Sequence, residues 1–295
     1  MVFLLCALGA AQSVKLEALE PPGAQRGTSV AIELRGKALA GAEALVFDHP
    51  GLSASEVESE KAGLVRARLV VAPDAPLGPY TVRVRTRRGL SNALMFHVGA
   101  LVTVDEVEPN GERASAQALA LGVTVHGTIT REDEDLFAFK APPGTRVRAV
   151  VEALRLGCRN FDPLVEILDA EGPTLARNDD SALVRRDSVV EATMPAGGLC
   201  LVRVRDAARG GARDARYRLH VDAGAQPRVA GALAVASLES GAALAPRMLL
   251  GESDLLGSAT PRVQELTGTA GWAPLGAALW WPEASLAPLV LRISP

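Results

Sequence analysis

The feature that most constrains this chain is a period-two alternation of apolar and polar residues, repeated in short runs between Val14 and Asp222. In TSVAIEL, Val30, Ile32 and Leu34 alternate with polar partners, and in YTVRVRT so do Tyr80, Val82 and Val84. Successive strand residues point to opposite faces, so such runs bury one face and wet the other. Turn formers (PPG, PLGP, DAEGP, NDD, PAGG) separate the runs, and each sets a corner by fixing or freeing φ. Short strands at regular spacing, without helical patterns to carry parallel crossovers, predict sandwiches or jelly rolls. A chain of 295 residues is long enough for two such domains with separate cores. The fold class read from the sequence is therefore all-β, with tandem β-sandwiches followed by a partial or degenerate β-rich segment over residues 224–295.

Hydrophobic residues make up 48% of the chain but aromatics only 4%, so Val, Leu, Ala and Ile must build the cores. The net charge of −3 and the lack of a basic stripe argue against a nucleic-acid partner, since nothing is placed to release phosphate counterions. Arg83/Arg85/Arg87/Arg88 and Arg203/Arg205/Arg209 fall largely at every second residue, as on the solvent face of a strand. The opening MVFLLCALGAAQS is an apolar run ending in small residues, read as a secretory signal peptide over residues 1–12, although it lacks a basic n-region. It is too short to span a membrane as a helix. Leu5 before Cys6 argues against a lipoprotein anchor. The mature chain is then expected to be exported, periplasmic or at the cell surface, with no transmembrane segment. Its two cysteines, Cys158 and Cys200, permit one disulfide or two buried thiols.

Carboxylate and amide oxygens concentrate in two short stretches, Asp105/Glu106/Glu108/Asn110 and Glu132/Asp133/Glu134/Asp135. Such clusters suit a hard cation like Ca²⁺, which takes about 6–8 oxygen ligands; the alternative is two solvated acidic turns. Asn178, Asp179 and Asp180 read as a turn bonded to its own backbone. No catalytic constellation accompanies them. There is no HExxH helix, no GxSxG elbow, no Walker loop and no GxGxxG opening a helix. His97, His126 and His220 lie in strand-like runs, and His49 lies in a turn. The expectation is a protein that is not an enzyme. All three tryptophans fall in WAPLGAALWWP, where Trp280 and Trp281 suit core, interface or a sugar-stacking platform.

Residues 13–99 resemble the IPT/TIG-type immunoglobulin-like domains, through PPGAQRGTSVAIELRGKAL and APDAPLGPYTVRVRTRRGLSNALMFHV. Residues 100–223 are similar to the bacterial pre-peptidase C-terminal (PPC) domain, through EVEPN, EDEDLF, PPGTRV, LDAEGP, LARNDD and GLCLVRVRD with YRLHV. The whole arrangement resembles exported proteins of planctomycete-type bacteria. The resemblance implies an immunoglobulin-like sandwich followed by a jelly-roll-like one, acting as spacer and interaction modules. It implies a non-catalytic binding or accessory role at the cell envelope, toward a protein or polysaccharide polymer. The alternative it implies is the accessory part of a secreted peptidase system whose catalytic domain lies elsewhere. In some members the acidic linker and the following turn bind calcium. Carried over by position, the implied ligands are Glu106, Glu108, Asn110, Asp133 and Asp135. Here Gly111 follows Asn110 where the family often has another oxygen donor, and Glu112 is displaced by one position.

Overall fold

The computed structural model describes residues 13–157, 161–180 and 187–223, with three short strands further along the chain. The proposed signal segment, Cys158 and Trp280–Trp281 lie outside the described residues. The architecture is all-β.

The first sandwich is built from β1 (Lys15–Glu20), β2 (Gly23–Gln25), β3 (Ser29–Lys37), β4 (Ala42–Phe47), β5 (Leu52–Lys61), β6 (Leu64–Val71), β7 (Gly78–Thr86), β8 (Gly89–Leu90) and β9 (Leu94–Gly99). One sheet runs β1-β3-β6-β5 and the facing sheet β2-β9-β7-β4, with β8 on β7. The alternation in sequence is the alternation in space. Along β6, Val65, Ala67, Leu69 and Val71 are buried while Arg66, Arg68 and Val70 face water. The core is mostly aliphatic, with Leu34, Leu69, Val82, Val84 and Phe96 among its fully buried members.

The second sandwich uses β10 (Val102–Asp105), β11 (Gln117–Leu119), β12 (Val123–Thr128), β13 (Glu134–Lys140), β14 (Arg146–Glu152), β15 (Pro163–Asp169), β16 (Thr174–Asn178), β17 (Val189–Thr193), β18 (Leu199–Asp206) and β19 (Arg216–Ala223). Its sheets run β10-β12-β19-β14-β17 and β11-β13-β18-β15-β16. Phe137, Phe139, Phe161, Val165, Val202 and Tyr217 meet in the core between them. The sheets are mostly antiparallel, but the short edge strands β2, β10 and β11 pair in parallel with β9, β12 and β13. Beyond them β20 (Leu238–Glu239), β21 (Gly271–Pro274) and β22 (Val290–Ser294) form a small sheet in the order β20-β22-β21. Among the described residues no helix is long and apolar enough to cross a membrane, which says nothing of β-barrels.

Only Ala100 and Leu101 separate β9 from β10. The β2–β9 edge of the first sandwich rests on the outer face of the β12-β19-β14 sheet, where strand alternation places polar residues. Thr124, Arg148, Glu152, Arg218 and His220 point away from their own core yet are buried. Gly23 lies against Arg218: a Cβ there would stand 2.9 Å from the guanidinium carbon and 2.3 Å from the His97 carbonyl oxygen. Arg216 donates to Glu20 Oε2 at 2.8 Å and to the Leu19 carbonyl at 3.3 Å, a second tie between the sandwiches.

Cys200 carries a buried free thiol, raised to about 11 by burial and then by Asp169.

Candidate metal centre

Two segments distant in sequence deliver the oxygen donors. Glu106 follows β10 immediately, and its backbone N–H bonds the His126 carbonyl at 2.9 Å, continuing the pairing with β12. Its carboxylate turns inward: Oε2 accepts the Thr128 N–H at 2.9 Å. Glu108 Oε2 accepts the Asn110 N–H at 2.8 Å, which closes the EPN turn on itself. From the other side comes Asp135, on β13 in phase with Phe137 and Phe139, so its carboxylate points toward the core and is fully buried. Glu106, Glu108 and Asp135 each bring an oxygen to within 4.8 Å of the others.

Tyr217 binds the group together. It lies opposite Gly127, where a Cβ would come within 2.3 Å of its ring, so only glycine leaves room for it. Its hydroxyl donates to Asp135 Oδ2 at 2.5 Å and to Glu106 Oε1 at 3.3 Å. Asn110 is fully buried beside them, and its Nδ2 donates to Glu106 Oε1 at 3.2 Å. Asn110 Oδ1 and Asp135 Oδ1 are buried without a hydrogen-bond partner.

The electrostatics are those of crowded anions. Among the described residues no Lys or Arg forms an ion pair with Glu106, Glu108 or Asp135. Burial, and then the neighbouring Glu106, push the Asp135 carboxyl far above the carboxylate range. Burial followed by Asp135 and Glu106 likewise holds Tyr217 well above the usual phenol value, so it stays a donor. Such a site must hold a proton or a cation to relieve the repulsion. Two orphaned buried oxygens, three carboxylates and no soft donor fit a hard cation such as Ca²⁺.

The five residues read from the sequence separate here. Glu106, Glu108 and Asp135 converge, with Asn110 in contact with Glu106. Asp133 does not join them: its Oδ2 accepts Thr130 N–H and Oγ1 at 3.0 and 2.8 Å, and its Oδ1 accepts Glu134 N–H at 3.1 Å. Both oxygens are spent on shaping the turn that aims Asp135. At Gly111 a Cβ would stand 3.1 Å from the Glu134 carbonyl oxygen, so there is little room for a side chain. Glu112 is exposed at the start of a 3-10 turn over Arg113–Ser115. Asn178 bridges strands, its Oδ1 accepting the Val189 N–H at 3.4 Å. Tyr217 escaped the sequence reading, although it alternates in phase with Leu219 and Val221.

A second cluster lies on the sheet's outer face, under the first sandwich. Glu152 Oε2 meets Arg218 at 3.0 Å and His220 Nε2 at 3.2 Å, and its Oε1 meets His97 Nδ1 at 3.3 Å and Arg155 at 3.8 Å. Arg155 also pairs with the buried Asp187 at 2.6 Å. Burial raises the Glu152 carboxyl, but His97, His220 and Arg218 outweigh this and hold it well below its ordinary value. Arg218 is the member of that set that stays charged at every pH. His220 is lowered to about 4 by burial, with Glu152 pulling it up and Arg218 and Arg155 pushing it down. His126 is lowered to about 3 by burial, then by Arg218 and His220. The three strand histidines, unremarkable in sequence, thus gather at one junction.

Between the two clusters a cleft of about 220 Å³ opens at the boundary of the sandwiches, lined by Glu20, Asp105, Glu106, His126, Arg216 and Tyr217. It brings solvent to the Glu106 side of the carboxylate group.

No family model matches the chain, and no curated protein matches it. Among solved structures it overlaps the periplasmic inhibitor of g-type lysozyme PliG from Aeromonas hydrophila, at 12% identity over 40% of this chain and 98% of that one, with a TM-score of 0.26. It also overlaps SGBP-B of the Bacteroides ovatus mixed-linkage glucan utilization locus, solved with a mixed-linkage heptasaccharide, at 10% identity over 62% and 72% of the two chains and a TM-score of 0.24. The Yersinia pseudotuberculosis adhesin InvE overlaps at 14% identity over 67% and 52%, again with a TM-score of 0.24. Overlaps this partial carry no argument about what this chain does.

Proposed function

We propose that this is an exported, non-catalytic binding or accessory protein whose second sandwich is stabilised by a calcium ion held by Glu106, Glu108 and Asp135, with Asn110 as a further donor. The observation that carries the calcium reading is the convergence of three carboxylates that lack a basic partner, beside two buried oxygens left without hydrogen bonds. The site ties the segment leaving β10 to β13 and β19 and lies beside the junction with the first sandwich. A bound cation there would fix the connection between the two modules and raise the stability of the native state by mass action. The non-catalytic reading is supported by the placement of the other titratable cluster. Glu152, His97 and His220 are sealed beneath the first sandwich, where a substrate has no access. The envelope setting and the polymeric partner, protein or polysaccharide, rest on the sequence resemblance to IPT/TIG and PPC domains.

Calcium titration calorimetry on the full chain tests the site, with thermal melts in calcium and in chelator beside it. Saturable binding is expected in the wild type and is lost in Glu108→Gln, an exposed position where the amide oxygen still offers the Asn110 N–H an acceptor. No heat and identical melts in calcium and chelator would overturn the reading.

A further inference from the structure

We propose that the junction between the two sandwiches is an acid-opened latch, in which protonation of His220 against Arg218 and Arg155 hinges the first sandwich off the outer face of the second. It rests on none of the residues proposed to hold calcium.

The geometry has three parts. First, the junction is polar where sandwich cores are apolar. His97 from β9 meets Glu152 from β14, Gly23 from β2 lies against Arg218 from β19, and Arg216 reaches Glu20. Second, the permanent charges already balance without a proton on His220. Arg155 and Arg218 face Glu152 and Asp187, two cations against two carboxylates. Third, the covalent link is Ala100–Leu101, so loss of the contact leaves the sandwiches free to swing without unfolding either.

The groups facing His220 come from every neighbouring element. Glu152 lies on β14, Arg155 on the 3-10 turn after it, and His97 on β9 of the first sandwich. Thr124, hydrogen-bonded to His220 Nδ1 at 2.8 Å, and His126 lie on β12, and Arg218 and Asp222 on its own strand. Asp222 is engaged with Arg148. A proton on His220 therefore adds a third cation to a balanced set, and Glu152 is already matched by Arg218. Paired buried charges hold only while compensation is complete, and water entering the junction relieves any excess.

The sign follows from linkage. In the closed junction His220 is held at about 4, and once solvated it returns to roughly 6.5. The open form binds the proton more tightly. The closed form is thus fully favoured above the solvated value, and its advantage is lost as pH falls toward the closed one. At pH 5 the opening constant rises roughly 20-fold over that at neutral pH.

The test is small-angle X-ray scattering on the full chain from pH 7.5 to 4.5, with far-UV circular dichroism on the same samples. The expected result is an increase in maximum dimension with an unchanged β spectrum, and loss of most of that pH response in His220→Gln. A scattering profile that does not change with pH would overturn the proposal, whatever the variant does. So would expansion that only accompanies loss of the β spectrum, or a folded His220→Gln chain that opens like the wild type.

Discussion

The two carboxylate clusters of the second sandwich lie on opposite faces of one sheet and solve burial in opposite ways. On the core side Asp135, Glu106 and Glu108 crowd together with hydroxyl, amide and backbone N–H donors but, among the described residues, no cation. On the outer side Glu152 is surrounded by cations and potential cations, and stays ionised. The first arrangement lacks a countercharge and must hold a proton or a cation. The second is complete and calls for a lid, which the first sandwich provides. A buried carboxylate is thus not a site by virtue of burial; what decides is whether its compensation is already in the chain.

The comparison breaks most sharply at Glu152. Glu152→Gln leaves Arg218 buried without its countercharge and is expected to cost about 3–5 kcal/mol of stability, read by denaturant unfolding. Asp135→Asn, the corresponding change on the core side, replaces a carboxyl that already holds a proton when calcium is absent, and keeps an acceptor for Tyr217. The calcium-free variant is expected to melt no lower than the wild type while losing its calcium response. In the wild type, calcium at about 100 times its Kd should add about 2.7 kcal/mol, which disappears in chelator. Gly23→Ala presses a methyl onto the His97 carbonyl and Arg218, and is expected to cost about 1–3 kcal/mol by strain. It should also move the acid opening of the junction to higher pH, seen as expansion in scattering. Smallest is Arg66→Ala, which breaks an exposed pair with Glu33 at 3.0 Å. It should change stability by less than about 1 kcal/mol, and less still in high salt.

The fold was legible because strand period is a local signal. TSVAIEL and LVRARLVV bury one face and wet the other as their alternation requires. The carboxylate site was half legible. EVEPN and EDEDLF are local clusters, but their spacing could not tell Asp133, which caps a turn, from Asp135, which shares the inward phase of Phe137 and Phe139. That phase was available in DLFAF, and it marks Asp135 as a buried carboxylate in need of a partner. Tyr217 carried the same signal in YRLHV. The junction was not legible. In RVRAVVE the alternation correctly turns Arg148 and Glu152 away from the core, and nothing local says that a second sandwich covers them. His97, Glu152 and His220 come from three strands in two modules, and only tertiary packing brings them together. The parallel edge strands β2, β10 and β11 escaped for the same reason, since pairing direction belongs to topology and not to period.

The most direct measurement is anomalous diffraction from crystals of the full chain grown with calcium replaced by a lanthanide ion. The cation-site reading requires a single strong peak among Glu106, Glu108 and Asp135, with an oxygen of Asn110 turned toward it, and no peak there in Asp135→Asn crystals. Crystals that bind the ion elsewhere, and leave Asp135 bonded only to Tyr217, would contradict it.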